Sequence, residues 1–252
     1  MENGFDPLFQ IKGKKIIIAG ACGGIGAPIS KFLYDRGSQV LLLDQEEQGL
    51  SEMSQALPGS NFFALDVCDE SKVDKIFSKI KTEFGRIDGL INAVGVFSME
   101  PSLEISLKQF RQCVDINLSG ALILSQLAAR LMTSDGGRII HLASVSSKVA
   151  NAEYASYSSS KAALAQLVKV LAREWAKKEI LVNAIGPAMI EGEMSKEILK
   201  DPAFREQVLG AIPMSRFCRP SDLFGVILLL LSRAGEFITG QTIYVDGGRT
   251  LV

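Results

Sequence analysis

The stretch Lys15-Ile-Ile-Ile-Ala-Gly20-Ala-Cys-Gly-Gly24-Ile-Gly26 joins a short apolar run to a cluster of glycines, and helical periodicity begins directly after it. Consecutive apolar residues are typical of a strand that is buried on both faces. The glycines allow a tight turn and the close approach of a pyrophosphate to the amino terminus of the following helix. A lone glycine cluster is often only a turn, and this spacing differs from the general G-x-G-x-x-G fingerprint. A nucleotide site therefore needs support from the rest of the chain.

Apolar runs and amphipathic stretches alternate along all 252 residues. Strands are predicted at 15–19, 39–43, 61–65, 89–92, 138–143, 181–185 and 242–245. Helices are predicted at 25–36, 47–56, 70–84, 107–132, 154–178 and 223–232, and the segment 186–213 is expected to be irregular. Repeated βαβ units build a parallel sheet with helices on both faces. We therefore predict one α/β domain over residues 1–252, with a doubly wound seven-stranded parallel sheet.

Charge and hydropathy exclude two classes of partner. The net charge is −1 and both signs are interspersed, so nothing favours binding to nucleic acid or to an anionic membrane. The longest apolar stretch, at 223–231, is interrupted by Gly225 and has about half the length that a bilayer requires. We expect neither a nucleic acid nor a membrane as a partner.

The four cysteines are widely scattered, which indicates neither a metal site nor a disulfide framework. Residues 1–10 contain Glu2 and Asp6 and no apolar run, so they do not look like a secretory signal. The sequence predicts a cytoplasmic protein with reduced thiols and no bound metal.

Tyr157 and Lys161 lie four residues apart in Tyr154-Ala-Ser-Tyr-Ser-Ser-Ser-Lys161, and Ser144 lies thirteen residues before Tyr157. In a helix this spacing puts a phenol and an ammonium on one face. Lowering a phenol pKa from ~10 to neutral needs roughly 4 kcal/mol, which one cation at about 4 Å supplies at an effective dielectric constant of about 20. We expect Lys161 to lower the pKa of Tyr157 and Ser144 to hold a substrate oxygen. Most such pairs, however, only pack the lysine stem along the ring.

Asp44 closes the second predicted strand, eighteen residues beyond Gly26. An acidic side chain there accepts hydrogen bonds from the adenosine ribose hydroxyls and repels a 2′-phosphate. The pattern favours NAD over NADP, although Asp44 is also an ordinary residue for a strand end. His141, the only histidine, is predicted to be a structural imidazole within its strand.

With the glycine segment, Asp44, Asn92 to Gly95, Ser144 and the Tyr157 and Lys161 pair in this order, the chain resembles the short-chain dehydrogenase/reductase family from residue 14 to 248. The resemblance implies a Rossmann fold and a catalytic tetrad of Asn117, Ser144, Tyr157 and Lys161. Tyr157 would exchange a proton with the substrate oxygen, Ser144 would orient that oxygen, and Asn117 would organise a relay water. Contacts with NAD are implied at Gly20, Cys22, Gly23, Gly24, Ile25, Gly26, Asp44, Asp66, Val67, Asn92, Ala93, Val94, Gly95, Tyr157, Lys161, Pro187, Ala188 and Ile190.

Several positions depart from the family pattern. Ala19 and Gly192 stand where threonine is usual, Ala93 and Val94 replace asparagine and alanine, and Ala188 replaces a glycine. Each lost polar contact weakens binding by about 1 kcal/mol. None of these positions belongs to the tetrad, so we expect an effect on cofactor affinity rather than on the chemistry.

The resemblance implies an NAD-dependent oxidoreductase that interconverts a secondary alcohol and a ketone. Segments 9–14, 174–176 and 212–222 are similar to gluconate 5-dehydrogenase and related sugar-acid or polyol dehydrogenases. In the expected substrate loop, 186–213, Glu191 and Glu193 do not favour a carboxylate substrate, although Lys196 and Arg205 offset them. The alternatives are a 3-oxoacyl reductase, which usually uses NADP, and a non-catalytic nucleotide-binding scaffold or regulatory protein.

Helices 107–132 and 154–178 carry more apolar positions than one buried stripe requires. The family resemblance implies that these helices pair in dimers and tetramers. The expected partners are thus a small alcohol or ketone substrate and further copies of the chain.

Overall fold

The computed structural model describes residues 6–132 and 135–252, so the prediction for the amino terminus lies partly outside the described residues. Its sheet has seven parallel strands in the order β3-β2-β1-β4-β5-β6-β7. The strands are β1 (Lys15–Ala19), β2 (Gln39–Asp44), β3 (Asn61–Ala64), β4 (Gly89–Asn92), β5 (Gly137–Leu142), β6 (Ile180–Pro187) and β7 (Thr242–Val245). The direction of winding reverses between β1 and β4, which opens a crevice at the carboxyl ends of these strands.

The helices lie in two layers around the sheet. They are α1 (Gly26–Asp35), α2 (Glu47–Ala56), α3 (Glu70–Phe84), α4 (Leu107–Val114), α5 (Gly120–Leu131), α6 (Ala155–Trp175), α7 (Glu193–Lys196), α8 (Pro202–Gly210) and α9 (Phe224–Leu231). Within the described residues, none of these helices combines the length and the apolar character that crossing a membrane requires.

Alternate residues of β1 pack against opposite helical layers. Ile17 belongs to the apolar cluster that includes residues of α3, α5 and α6. Ile16 and Ile18 belong to the cluster that includes residues of α1, α2 and α9. All three side chains are fully buried, as expected for a strand covered on both faces. The predicted single-domain α/β fold with a doubly wound parallel sheet is confirmed.

Two predicted elements differ from the structure. The helix predicted at 107–132 is interrupted by a π-helical turn, Asp115–Ser119, between α4 and α5. The helix predicted at 154–178 ends at Trp175 and continues as a 3₁₀ turn, Ala176–Lys178. Helical periodicity in a sequence does not show a single wide turn, and such turns are frequent at functional sites.

The prediction of an irregular segment at 186–213 is wrong. β6 extends to Pro187, and α7 and α8 occupy much of the remainder. Helix α8 begins where Asp201 Oδ1 accepts a hydrogen bond from the main-chain nitrogen of Ala203, at 3.0 Å, and Pro202 occupies the first helical position. An aspartate cap followed by proline is a common helix start.

Candidate active site

A cavity of about 610 Å³ lies over the carboxyl ends of the strands. Its lining joins the glycine turn after β1 to the start of α6 and to the segment after β6. Most of the residues predicted for the cofactor or the chemistry line it: Gly20, Gly23, Gly24, Ile25, Gly26, Asp44, Asp66, Val67, Ala93, Val94, Gly95, Ser144, Tyr157, Lys161, Pro187, Ala188 and Ile190. Cys22, Asn92 and Asn117 are not among the lining residues.

The glycines of the first turn have different physical roles. Gly20 has a φ of 78°, and a side chain there would come within 2.8 Å of the main chain of Ala93 and Val94. A side chain on Gly26 would collide with the main-chain oxygen of Gly20. A side chain on Gly24, in contrast, would meet no atom within 4 Å. Gly20 therefore lets the end of β1 approach the loop after β4, and Gly26 lets α1 pack against the glycine turn. Gly24, in contrast, faces open space in the cavity.

Asp44, at the end of β2, fixes the glycine turn. Its Oδ2 accepts a hydrogen bond from the main-chain nitrogen of Cys22 at 2.9 Å, and its Oδ1 accepts one from Glu46 at 3.2 Å. The Sγ of Cys22 lies 3.8 Å from the main-chain oxygen of Glu46. Asp44 thus acts as a turn residue and also presents its carboxylate to the cavity, while Cys22 contributes its backbone to the turn.

Asn92 is buried and holds the loop that follows β4. Its Oδ1 accepts a hydrogen bond from the main-chain nitrogen of Val94 at 3.0 Å, and its Nδ2 lies 3.2 Å from His141 Nδ1. Ser125 Oγ lies 2.9 Å from His141 Nε2 and donates to the main-chain oxygen of Ala121 at 2.6 Å. Since the Ser125 hydroxyl has a single proton, His141 donates through Nε2 and accepts through Nδ1.

His141 is fully buried. Burial, followed by the charge of Lys161, lowers the pKa of His141 to about 3. The imidazole is therefore neutral and has a partner at each nitrogen. The prediction of a structural imidazole is confirmed.

Ser144, Tyr157 and Lys161 converge at the end of the cavity away from the glycine turn. The Ser144 hydroxyl lies close enough to the Tyr157 phenol to lower its pKa. Ser144 Oγ also accepts a hydrogen bond from the main-chain nitrogen of Ser146 at 3.1 Å. Lys161 is buried, and its Nζ donates to the main-chain oxygen of Leu142 at 2.8 Å. A serine from the end of β5 and two residues from α6 therefore meet in one place.

The expectation that the protein lowers the pKa of Tyr157 is wrong. Burial raises the pKa of Tyr157 to about 12, and the Ser144 hydroxyl offsets only part of this effect. Burial also lowers the pKa of Lys161 to about 8. At neutral pH the phenol is protonated and the lysine is mostly a cation.

Asn117 lies in the π-helical turn and is buried. Its Oδ1 accepts a hydrogen bond from the main-chain nitrogen of Val96 at 2.8 Å, and its Nδ2 donates to the Val96 oxygen and to Ser160 Oγ, each at 3.0 Å. A side chain on Gly95 would come within 3.2 Å of Asn117 Oδ1 and 3.3 Å of Lys161 Nζ. Asn117 thus holds the loop beside Lys161 through its side chain, and its part in a water relay stays a prediction.

Sequence reasoning missed several residues at the substrate end of the cavity. Those before α6 are close to Tyr157 along the chain, which was an available signal, whereas the others reach the site only through the fold. The missed lining residues are Phe97, Met99, Asn151, Glu153, Tyr154 and Arg249, whereas Met194, Ile198, Phe204 and Gln207 belong to the segment 186–213 that was expected to be the substrate loop.

Known proteins of similar sequence cover nearly the whole chain. A family model described as enoyl-(acyl carrier protein) reductase matches residues 20–250. An NAD-dependent glycerol dehydrogenase from Listeria innocua is 32% identical over 250 residues, which are 98% of this chain and 98% of that protein. A D-threitol dehydrogenase from Mycolicibacterium smegmatis is 32% identical over 248 residues, which are 96% of this chain and 95% of that protein.

Solved structures agree with the sequence relatives. A gluconate 5-dehydrogenase from Burkholderia cenocepacia, crystallised with NADP and tartrate, superimposes with a TM-score of 0.94 at 27% identity and covers 98% of each chain. The order of the motifs, the fold and these similarities all indicate the same protein family. The chain belongs to the short-chain dehydrogenase/reductase family.

Proposed function

We propose that the protein is an NAD-dependent oxidoreductase that interconverts a secondary alcohol and a ketone, with Tyr157 as the general acid and base. The observation that carries this proposal is the meeting of Ser144, Tyr157 and Lys161 in the cavity that begins at the glycine turn. A cavity of this shape can hold a dinucleotide at one end and a small substrate at the other.

The residues present fit a nicotinamide dinucleotide. The open backbone at Gly24 and the amino terminus of α1 suit a pyrophosphate. The carboxylate of Asp44 suits ribose hydroxyls, and a 2′-phosphate would meet its negative charge. Among the described residues that line the cavity, the cations are Lys161 and Arg249, and neither adjoins Asp44 in the sequence. These charges favour NAD, although the related gluconate 5-dehydrogenase was crystallised with NADP.

The bound nicotinamide supplies the hydride acceptor or donor, so the protein has to position the substrate and move one proton. In the direction of reduction, the protonated phenol of Tyr157 donates to the developing alkoxide, and the Ser144 hydroxyl holds the same oxygen. In the direction of oxidation, Tyr157 has to accept the alcohol proton. The Ser144 hydroxyl favours the phenolate, whereas burial of Tyr157 opposes it.

The substrate is proposed to be a polyol or a sugar acid. The names of the relatives support this class: they include glycerol, threitol and 2-dehydro-3-deoxy-D-gluconate dehydrogenases. The proposed substrate loop is the segment 186–213, which contributes Met194, Phe204 and Gln207 to the lining.

A 3-oxoacyl reductase is the second candidate. It is supported by apolar side chains at the substrate end, among them Phe97, Met99 and Ile198. It is opposed by the carboxylate of Asp44, since such reductases usually use NADP. The third alternative is a nucleotide-binding scaffold without turnover. Such a protein would bind the dinucleotide at the same end of the cavity but would not oxidise or reduce a substrate.

One experiment separates these possibilities. NADH and NADPH are titrated by the change in cofactor fluorescence, and turnover is then measured with polyols, sugar acids and a short 3-oxoacyl thioester. We expect NADH to bind at least about tenfold more tightly, equivalent to about 1.4 kcal/mol, and a polyol or sugar acid to be oxidised. Preference for the thioester with NADPH would favour the second candidate. Binding without turnover would favour the scaffold.

We also propose that the protein is a homo-oligomer. Apolar side chains on its helices are exposed to solvent in the single chain: Leu107 on α4 is 69% exposed and Val170 on α6 is 44% exposed. Exposed apolar side chains mark a protein–protein contact where they form a contiguous patch, and we propose such a patch between two copies of the chain. Light scattering at micromolar concentration tests the proposal, and a monomer would contradict it.

A further inference from the structure

The turn after β7 is held firmly against the end of the segment 186–213. The Asp246 carboxylate accepts hydrogen bonds from the main-chain nitrogens of Gly248 and Thr250, at 3.0 and 2.8 Å. Gly247 and Gly248 have φ values of 60° and 91°. A side chain on Gly248 would come within 3.0 Å of Pro213. The next side chain along the chain, that of Arg249, is therefore placed by a fixed turn.

Arg249 lines the same cavity as Tyr157. One guanidinium nitrogen donates to Asn151 Oδ1 at 3.2 Å, and the other donates to the main-chain oxygen of Val252 at 3.3 Å. Asn151 lines the cavity as well, and its Nδ2 lies 3.5 Å from Ser146 Oγ. The main-chain nitrogen of Ser146 in turn donates to Ser144 Oγ. One polar wall of the substrate end thus runs from the proposed oxygen-binding serine to an arginine.

The partners of Arg249 differ from those of the arginines in the neighbouring loops. Arg216 forms two hydrogen bonds with the carboxylate of Asp222, at 2.6 and 3.1 Å, and Arg205 is paired with Glu191. Arg249 donates to the Asn151 amide oxygen and to an oxygen of Val252, the last residue of the sequence, so these contacts engage two of its five N–H groups. A guanidinium has five N–H donors in a fork that matches a carboxylate, so Arg249 keeps donors for a molecule in the cavity.

The acidic residues of the substrate loop do not oppose an anion as strongly as their number in the sequence indicates. Glu191 is paired with Arg205, and Glu193 lies 3.4 Å from Lys196. Each glutamate therefore has a cation beside it. Lys161, the other cation of the lining, is engaged by Leu142 beside Tyr157. Arg249 is consequently the cation of the described lining that is available to a substrate group away from the reacting carbon.

We propose that Arg249 and Asn151 form a carboxylate-binding subsite, and that the preferred substrate is a hydroxy acid whose secondary alcohol reaches Tyr157 while its carboxylate binds Arg249. This inference rests on the proposed function and narrows it from polyols to sugar acids. The paired N–H donors of Arg249 bind the two carboxylate oxygens, and the Asn151 amide fixes the plane of the guanidinium.

The test compares two substrates of equal carbon number, an aldonate and the corresponding neutral alditol, by kcat/KM with NAD. Arg249→Met is expected to lower the aldonate-to-alditol ratio by about tenfold to a hundredfold, mainly through the KM of the aldonate, the usual scale for removing a charged hydrogen bond. Arg249→Lys keeps the charge but loses the fork, so its ratio should lie between those of the wild type and Arg249→Met. The control is Arg233→Met, an exposed arginine that does not line the cavity.

An unchanged ratio in Arg249→Met, or an equal fall for both substrates, would overturn the subsite. A second measurement does not need turnover: the aldonate is added to the complex with NADH, and the rise in thermal midpoint is recorded. A rise in the wild type that disappears in Arg249→Met supports the subsite even if no alcohol is oxidised. In that outcome the subsite stands and the proposed dehydrogenase activity fails.

Discussion

The ammonium of Lys161 lies 5.8 Å from the centroid of the Tyr157 ring, and burial shifts the pKa values of these two neighbours in opposite directions. The pKa of Tyr157 rises to about 12 and that of Lys161 falls to about 8. Burial disfavours the charged form of each group. The pair is therefore held in surroundings that oppose the ionised states that alcohol oxidation requires, and this has consequences for stability and for rate.

Lys161→Met should make the protein more stable while abolishing oxidation. The folded state holds a buried cation whose pKa is about 8 instead of the ordinary 10.5. Removing this cation at pH 7 should stabilise the fold by about 1–3 kcal/mol, after subtracting the hydrogen bond to Leu142. Urea unfolding of the cofactor-free protein measures the difference.

The sign of the pH dependence provides the control for Lys161→Met. Between about pH 8 and pH 10.5 the unfolded wild type binds more protons at this lysine than the folded state does. The stability of the wild type relative to the variant should therefore rise with pH across this window, and the gap should narrow. If the difference in unfolding free energy between wild type and variant stayed constant from pH 7 to pH 10, the destabilisation of the wild type would not come from the charge of Lys161.

Tyr157→Phe should retain NADH binding and lose at least about a hundredfold in kcat, the usual scale for a general acid. The matched change is Tyr154→Phe. Both rings make edge contacts with Phe97, at centroid distances of 4.9 Å for Tyr154 and 5.0 Å for Tyr157, but only Tyr157 lies beside Lys161. Tyr154→Phe should therefore cost less than about tenfold. Equal losses in the two variants would remove the distinction between proton transfer and packing.

Asp44→Asn should weaken the preference for NADH over NADPH by about tenfold, since the repulsion of a 2′-phosphate disappears. The amide oxygen of asparagine can still accept a hydrogen bond from Cys22 or Glu46, so the turn should persist. Asp44→Ala removes both acceptors and should also lower the free energy of unfolding by about 1–2 kcal/mol. Fluorescence titration and urea unfolding measure the two effects. An unchanged cofactor preference in both variants would contradict the assignment of Asp44 to the ribose.

The parallel sheet could be predicted because each strand is visible as a short apolar run in the sequence. In β1 the residues from Ile16 to Ala19 are apolar on consecutive positions, and the glycines that follow allow a tight turn. Tyr157 and Lys161 could be placed on one helical face because their spacing matches the helical repeat. These signals lie within a few residues of one another along the chain.

The rest of the site depends on contacts between distant segments. In the π-helical turn Asp115–Ser119, the Asn117 side chain contacts the main chain of Val96, twenty-one residues away. The raised pKa of Tyr157 follows from burial, which a sequence does not show. Arg249 reaches Asn151 from ninety-eight residues along the chain. Two local signals could have been used: the Asp201 cap before a proline, which begins helix α8, and the closeness of the residues before α6 to Tyr157 along the chain.

His141 should make the fold sensitive to mild acid. Its pKa is about 3 in the folded state and close to the ordinary 6.5 in the unfolded chain. The unfolded state therefore binds the proton first, and stability falls as the pH is lowered from about 6.5 toward 3. The loss between pH 7 and pH 5 should be about 2 kcal/mol from this residue alone.

Replacing His141 isolates this contribution from that of the carboxylates, which titrate in both proteins. His141→Gln should be less stable at pH 7, because Asn92 and Ser125 lose well-placed partners. It should lose less stability on acidification, because glutamine has no proton to bind, so the two curves of unfolding free energy converge toward pH 5. Parallel curves would contradict the prediction, because they would show that His141 binds its proton equally well in the folded and unfolded states. In the folded state, His141 accepts a hydrogen bond from Asn92 and donates one to Ser125, as only a neutral imidazole can.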